Sequence, residues 1–180
     1  MRASPTLSRW ALTLLLASAA GLGPAQPVQA EAWEVKAGLG PLFGTDFLPE
    51  HQDALGGQAY LQVGISDLLS LTAAGGYSHH FLGTGAGARM FHAGLGLACS
   101  LDVLVVVPYL ELRLGYLRRD VDGQDGAQGL GLTAALGADY LWTDSFTLGV
   151  AVEYHGLLTD LDAFPAYLTV NLRAGMRFLD

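Results

Sequence analysis

The chain has 180 residues, nine of them Lys or Arg against 17 Asp or Glu, and only 14% are charged, against about 25% in soluble domains. A formal charge of −8 and a single lysine, Lys36, exclude the many phosphate contacts of nucleic-acid binding. One cysteine, Cys99, excludes an intramolecular disulfide, and no thiol chemistry is needed to explain it.

Residues 1–30 read as a secretory signal peptide for Sec export. Arg2 and Arg9 form a positive n-region, Trp10 to Ala20 a short apolar h-region, and Val28-Gln29-Ala30 a cleavage site. The apolar stretch is too short to span a membrane as a helix. No cysteine follows it closely, so a lipid anchor is not expected. Cleavage near Ala30 removes both arginines and takes the formal charge from −8 to −10. Residues 31–180 are then one domain.

From Glu31 a two-residue rhythm returns eight times, and side chains alternate faces along a strand. The first strand, about Trp33 to Leu39, puts Trp33, Val35, Ala37 and Leu39 on one face and Glu34, Lys36 and Gly38 on the other. A long loop, Gly40 to Gly57, leads to a second strand with Ala59, Leu61, Val63 and Ile65 opposite Gln58, Tyr60, Gln62 and Gly64. After a turn at Ser66-Asp67 the third strand sets Leu69, Leu71, Ala73, Gly75 and Tyr77 against Ser70, Thr72, Ala74, Gly76 and Ser78. A glycine-rich loop, Phe81 to Ala88, precedes the fourth, with Phe91, Ala93, Leu95, Leu97 and Cys99 opposite Met90, His92, Gly94, Gly96 and Ala98.

Ser100-Leu101-Asp102 turns into a fifth strand whose alternation starts late, because Val103 to Val107 is apolar throughout. From Pro108 it is clear: Leu110, Leu112, Leu114 and Tyr116 on one face, Tyr109, Glu111, Arg113 and Gly115 on the other. Pro108 cannot donate a ladder hydrogen bond, which places it near a strand end or a bulge. A charged loop, Arg118 to Gln128, leads to the sixth strand, with Leu130 to Tyr140 apolar at even positions and Asp139 on the other face. Thr143-Asp144-Ser145 turns into the seventh, where Phe146, Leu148, Val150, Val152 and Tyr154 oppose Thr147, Gly149, Ala151, Glu153 and His155. The last strand, Ala166 to Phe178, is apolar at every even position and carries Arg173 and Arg177 at odd ones.

Each ribbon thus has an oily and a polar side, and no stretch after residue 30 is apolar for the ~20 residues a membrane helix needs. The fold expected is an all-β, eight-stranded antiparallel up-and-down transmembrane barrel, oily side to lipid. A soluble barrel has the reverse polarity. Connections alternate long and short, and the three short ones are built on Asp with Ser or Thr, residues that bond their own turn backbone. Short turns are periplasmic in bacterial outer-membrane barrels, so both termini are expected there. Aromatics fall at the ends of the oily faces, as interfacial girdles do: Trp33, Tyr140, Phe146 and Phe178 at the short-turn end, Tyr77, Phe91, Tyr116 and Tyr154 at the other.

Eight strands enclose a space that side chains just fill. The inward set balances Glu34, Glu111, Asp139 and Glu153 against Lys36, Arg113, Arg173 and Arg177. Because lone buried charges carry a desolvation cost of several kcal/mol, this balance reads as an ion-pair network plugging the lumen. Closure of the eighth strand on the first is expected to bring Arg173 and Arg177 toward Glu34.

The pattern resembles the small eight-stranded outer-membrane barrels of Gram-negative bacteria, the OmpA transmembrane-domain and OmpX type, over Glu31 to Asp180. The ending Arg173-Ala-Gly175-Met-Arg-Phe178-Leu-Asp180 is similar to the C-terminal signal read by the barrel-assembly machinery: Arg173, Gly175 and Phe178 match, while Asp180 departs from the terminal aromatic. The resemblance implies residence in the outer membrane, contact with its lipid and lipopolysaccharide, and that machinery as a partner during biogenesis. A cell-wall tether of the OmpA kind is not expected.

His80, His92 and His155 point inward near the external rim by parity, with Glu153 on the face of His155, so a metal site or acid–base pair could assemble there. The polar-rim reading is preferred, and no metal, cofactor or catalytic residue is assigned. The enzymatic alternative is an outer-membrane lipid A deacylase; these resemble serine hydrolases with a lipid-facing His and a Ser two residues later. Here Gly156 and Leu157 follow an inward His155. A narrow pore is a second alternative, and a hydrophobic-solute conduit would require an apolar lumen. The function expected is structural, surface-interacting or adhesive, through four mostly acidic loops whose ligand the sequence does not name.

Overall fold

The computed structural model describes residues 34–46, 53–81, 87–101, 105–121, 126–159 and 166–178. The signal peptide, its cleavage site, Trp33 and Asp180 lie outside them. Eight strands follow in order: β1 Val35–Asp46, β2 Asp53–Gly64, β3 Leu69–Phe81, β4 Gly87–Ser100, β5 Val106–Val121, β6 Ala127–Thr143, β7 Phe146–Leu157 and β8 Tyr167–Phe178. Each pairs antiparallel with its neighbour, and β8 returns to β1, so the sheet closes into a barrel without an edge. Among the described residues no helix forms.

Alternation sets which face is inside. Along β5, Val107, Tyr109, Glu111 and Arg113 are buried while Val106, Leu110, Leu112 and Leu114 are exposed. Around the outer wall Leu39, Leu95 and Leu136 are 69%, 70% and 65% exposed. A belt of that kind is unstable against water and stable against hydrocarbon, because the closed ladder already satisfies the backbone. The chain is a membrane-barrel fold. The purified protein is expected to run compact in detergent gels until boiled and then to slow; a mobility unaffected by heating would contradict closure.

Register groups the outward aromatics toward the two ends of the wall. Tyr77 lies opposite Phe91, whose ring is 6.3 Å from that of Tyr116, and Tyr154 completes the upper set. At the short-turn end Tyr140, Phe146 and Phe178 face outward. Trp142, not anticipated, is 64% exposed and packs edge-on against Tyr140 at 6.2 Å. Phe43 and Phe81 are further outward aromatics missed at the loop end.

The strands are longer than the alternation implies. Residues 40–46 and 53–57, expected in a loop, extend β1 and β2 until Thr45 pairs with Asp53. Residues 118–121 and 127–128 likewise extend β5 and β6. Ladder hydrogen bonds belong to the backbone and continue where side chains cease to alternate; beyond the apolar belt nothing requires an oily outer face. Within the extension Leu42 is fully buried inside and Phe43 is outside. Pairing of β1 with β8 lapses at Gly40-Pro41 and resumes at Leu42, as a residue without an N–H dictates. Pro108 is the third residue of β5 and faces outward, near a strand end as expected.

The short turns use side chains as the composition implied. Ser66 Oγ accepts from the Leu69 N–H at 3.2 Å, and Thr143 Oγ1 from the Ser145 N–H at 3.3 Å.

Candidate functional site: a layered polar lumen

The inward residues stack in layers from the short-turn end upward. In the first, β1 and β8 are adjacent, and Arg177 grips Glu34 with both arms of its guanidinium: Nε to Oε1 at 2.5 Å and Nη2 to Oε2 at 2.6 Å. Lys36 crosses to β6, with Nζ 3.2 Å from Asp139 Oδ2. Asp139 is 2% exposed, so this pair is shielded from bulk water.

Arg173 belongs to the next layer and does not reach Glu34 with Arg177. Its guanidinium lies over the Tyr60 ring at 3.7 Å and the Tyr109 ring at 4.7 Å, donates to Tyr109 Oη, and comes within 3.9 Å of Glu111. Parity puts both arginines inside, but they stand four residues apart along β8 and meet different neighbours. The tyrosines fit because the strands beside them carry glycine. A Cβ on Gly38 would come within 2.6 Å of the Tyr60 ring, and one on Gly137 would overlap Tyr109. The inward tyrosines and glycines are two halves of one packing solution.

The third layer is a charge sandwich. Arg113 Nε lies 2.9 Å from Glu111 Oε1, and its Nη2 lies 2.6 Å from Glu153 Oε2. Thr72 Oγ1 donates to Glu111 Oε1 at 2.8 Å, and Gln58 Nε2 donates to Glu153 Oε1 at 2.8 Å. All three charged groups are at most 3% exposed. Charges so removed from water hold only if nearly every lone pair is met, and here neutral donors complete the carboxylates.

Above it the histidines enter. His92 Nε2 and Gln58 Oε1 are 3.1 Å apart; His155 Nδ1 and Nε2 each lie 3.0 Å from a hydroxyl, Thr133 and Thr169. The His155 ring stacks on Tyr167 at 4.4 Å and neighbours His92 at 4.7 Å. His80, fully buried, meets Ser78 Oγ at 3.2 Å and Tyr167 edge-on. All three histidines point inward, as parity implied. Met90, Leu117, Leu157 and Tyr167 form an apolar cluster over this end.

His92, Glu153 and His155 form a group that could hold a metal ion, their ligand atoms lying within 4.8 Å of one another. In the structure those atoms serve the polar network instead: Arg113 and Gln58 hold Glu153, and hydroxyls flank His155. Lipid-facing chemistry at His155 is not available, since the ring is fully buried. Among the described residues, cavities on the lumen side measure about 40 Å³ beside Glu34, Lys36 and Tyr109 and about 10 Å³ beside His92 and Arg113. Gln58, Thr72, Thr133, Thr169 and Asn171 were not singled out from sequence as network members. Their inward parity was the available signal, but which charge each polar group would meet depends on the stagger between strands.

No protein-family model matches the chain, and no curated protein matches it. Solved structures do. Neisserial surface protein A is similar over 82% of this chain and 96% of its own, at 19% identity and a TM-score of 0.62. Ail, the attachment invasion locus protein of Yersinia pestis, in complex with the heparin analogue sucrose octasulfate, covers 82% and 100% at 15% identity and a TM-score of 0.60. The outer membrane protein OprG from Pseudomonas aeruginosa covers 84% and 99% at 12% identity and a TM-score of 0.59. The chain shares with them the fold of the small eight-stranded outer-membrane barrels.

Proposed function

We propose that this chain is a non-enzymatic integral protein of the bacterial outer membrane, exported with cleavage near Ala30 and inserted by the barrel-assembly machinery. Its lumen is a plug, and its contribution is to envelope structure, surface interaction or adhesion. The observation that carries the reading is Arg113 held between Glu111 and Glu153 at 2.9 and 2.6 Å. An arginine clamped from both sides, beside a cavity of about 10 Å³, fits a filled cross-section better than the wall of a channel. Arg173, Gly175 and Phe178 serve as the assembly signal, and the outer wall meets lipid and lipopolysaccharide. No catalytic residue, metal or cofactor enters this reading.

Planar bilayers and a lipid assay test it together. The reconstituted wild type is expected to give no discrete currents and to release no acyl chain from purified lipopolysaccharide. Steps in current altered by Glu111→Ala would replace the plug with a pore, and acyl release abolished by His155→Ala would make the chain an enzyme.

A further inference from the structure

Four of the seven Lys and Arg beyond residue 30 are in the lumen network; the other three, Arg89, Arg118 and Arg119, are on β4 and β5 at the loop end. Arg89 and Arg118 point outward and are exposed. They sit directly at the upper girdle. Phe91 pairs with Tyr77 on one side and Arg118 on the other, and the next outward position up β4 is Arg89, paired with His79 and, across β5, with Asp120. Two residues of strand separate Arg89 from Phe91, about 7 Å along the chain, the step from an aromatic belt to the headgroup level.

Immediately below the girdle the same strands are hollow. Ala59, Gly75 and Ala93 lie side by side on β2, β3 and β4, all facing out. Their missing bulk leaves an outer concavity of about 670 Å³, walled by Leu61, Leu95 and Leu114. A neighbouring one of about 460 Å³ lies over Leu39 and Gly57 and reaches Tyr77 and Phe91. Elsewhere on the wall the outward positions are mostly leucine, valine and aromatics.

We propose that this face is a site for one phosphorylated lipid of the outer leaflet. An acyl chain lies in the Ala59–Gly75–Ala93 hollow, and the phosphate sits against Arg89 and Arg118 with His79 beside them. The proposal rests on the membrane-barrel reading and deepens its lipid contact. Charge complementarity selects the occupant: the mature chain is acidic, and the two outward arginines stand at and above the Tyr77–Phe91 row that rims the hollow. Arg118 Nε is 2.9 Å from Asp120 Oδ2, but both are about half exposed, and a pair so open to water exchanges readily for phosphate. Guanidinium forks match phosphate oxygens two at a time, which favours an arginine site over a diffuse field.

The test uses the full chain folded into phosphatidylcholine nanodiscs and supplied with bisphosphorylated lipid A or its dephosphorylated form, retained lipid being counted by native mass spectrometry. Wild type is expected to favour the phosphorylated form. The double variant Arg89→Ala/Arg118→Ala is expected to lose roughly thirtyfold of that preference, the order set by two interfacial arginines. Ala59→Leu with Ala93→Leu, which fills the hollow, lowers retention of both forms. Equal retention by wild type and variants, displacement by inorganic phosphate alone, or a Ala59→Cys cross-link joining two copies with lipid excluded would each overturn the site. A preparation lacking the heat-dependent gel shift would instead defeat the barrel reading, so the two failures are told apart.

Discussion

Arg113→Ala is expected to destabilise the folded barrel by about 3–5 kcal/mol, the range found when one partner of a buried ion pair is removed. The alanine leaves Glu111 and Glu153 facing one another at 3% and 1% exposure without the cation that both contact. Urea titration of protein folded into vesicles, followed by the heat-dependent gel shift, measures it. A double variant, Arg113→Met with Glu153→Gln, is expected to recover much of the loss, because it removes charge of both signs and keeps Gln58 a partner. A change under ~1 kcal/mol in the single variant would place these groups in contact with water, since exposed pairs contribute no more than that.

Leu112→Arg carries the second large effect. Leu112 lies between Glu111 and Arg113 in sequence, yet it points out of the barrel at 54% exposure. On a lipid-facing wall an arginine near the midplane costs about 2–4 kcal/mol. On a water-facing wall the same change falls within about 0.5 kcal/mol. The same titration, run beside Leu112→Ala as a size control, reads the difference. A neutral result would mean that the greasy outer belt does not touch hydrocarbon.

The two substitutions are one residue apart and act in opposite media, and that contrast was legible without coordinates. Strict alternation from Leu110 to Tyr116 assigns each side chain a face, since a strand has a period of two. The same logic assigned His155 and Glu153 to the interior and Tyr77 and Phe91 to the girdle. It was silent on partners. Arg177 reaches Glu34 while Arg173, on the same face of the same strand, sits between two tyrosines. Nothing local distinguishes them.

Loop lengths were overestimated for a related reason. The apolar rhythm reports where lipid touches the wall, whereas a ladder reports where backbones pair. Past Leu39 the two part company, and β1 runs on through Pro41 to Asp46 with Leu42 turned inward.

Sequence alone therefore determined the number of strands, the face that each residue of the alternating stretches occupies, and that the oily face is the outer one. These follow from a local periodicity and from how poorly charge and hydrocarbon mix. Tertiary structure decided which inward charge meets which, where tyrosine finds glycine, and how an arginine pair comes to stand above a row of alanine and glycine. Such neighbours come from separate strands, and their meeting depends on the shear with which the sheet closes, a property of the whole barrel that no single stretch encodes.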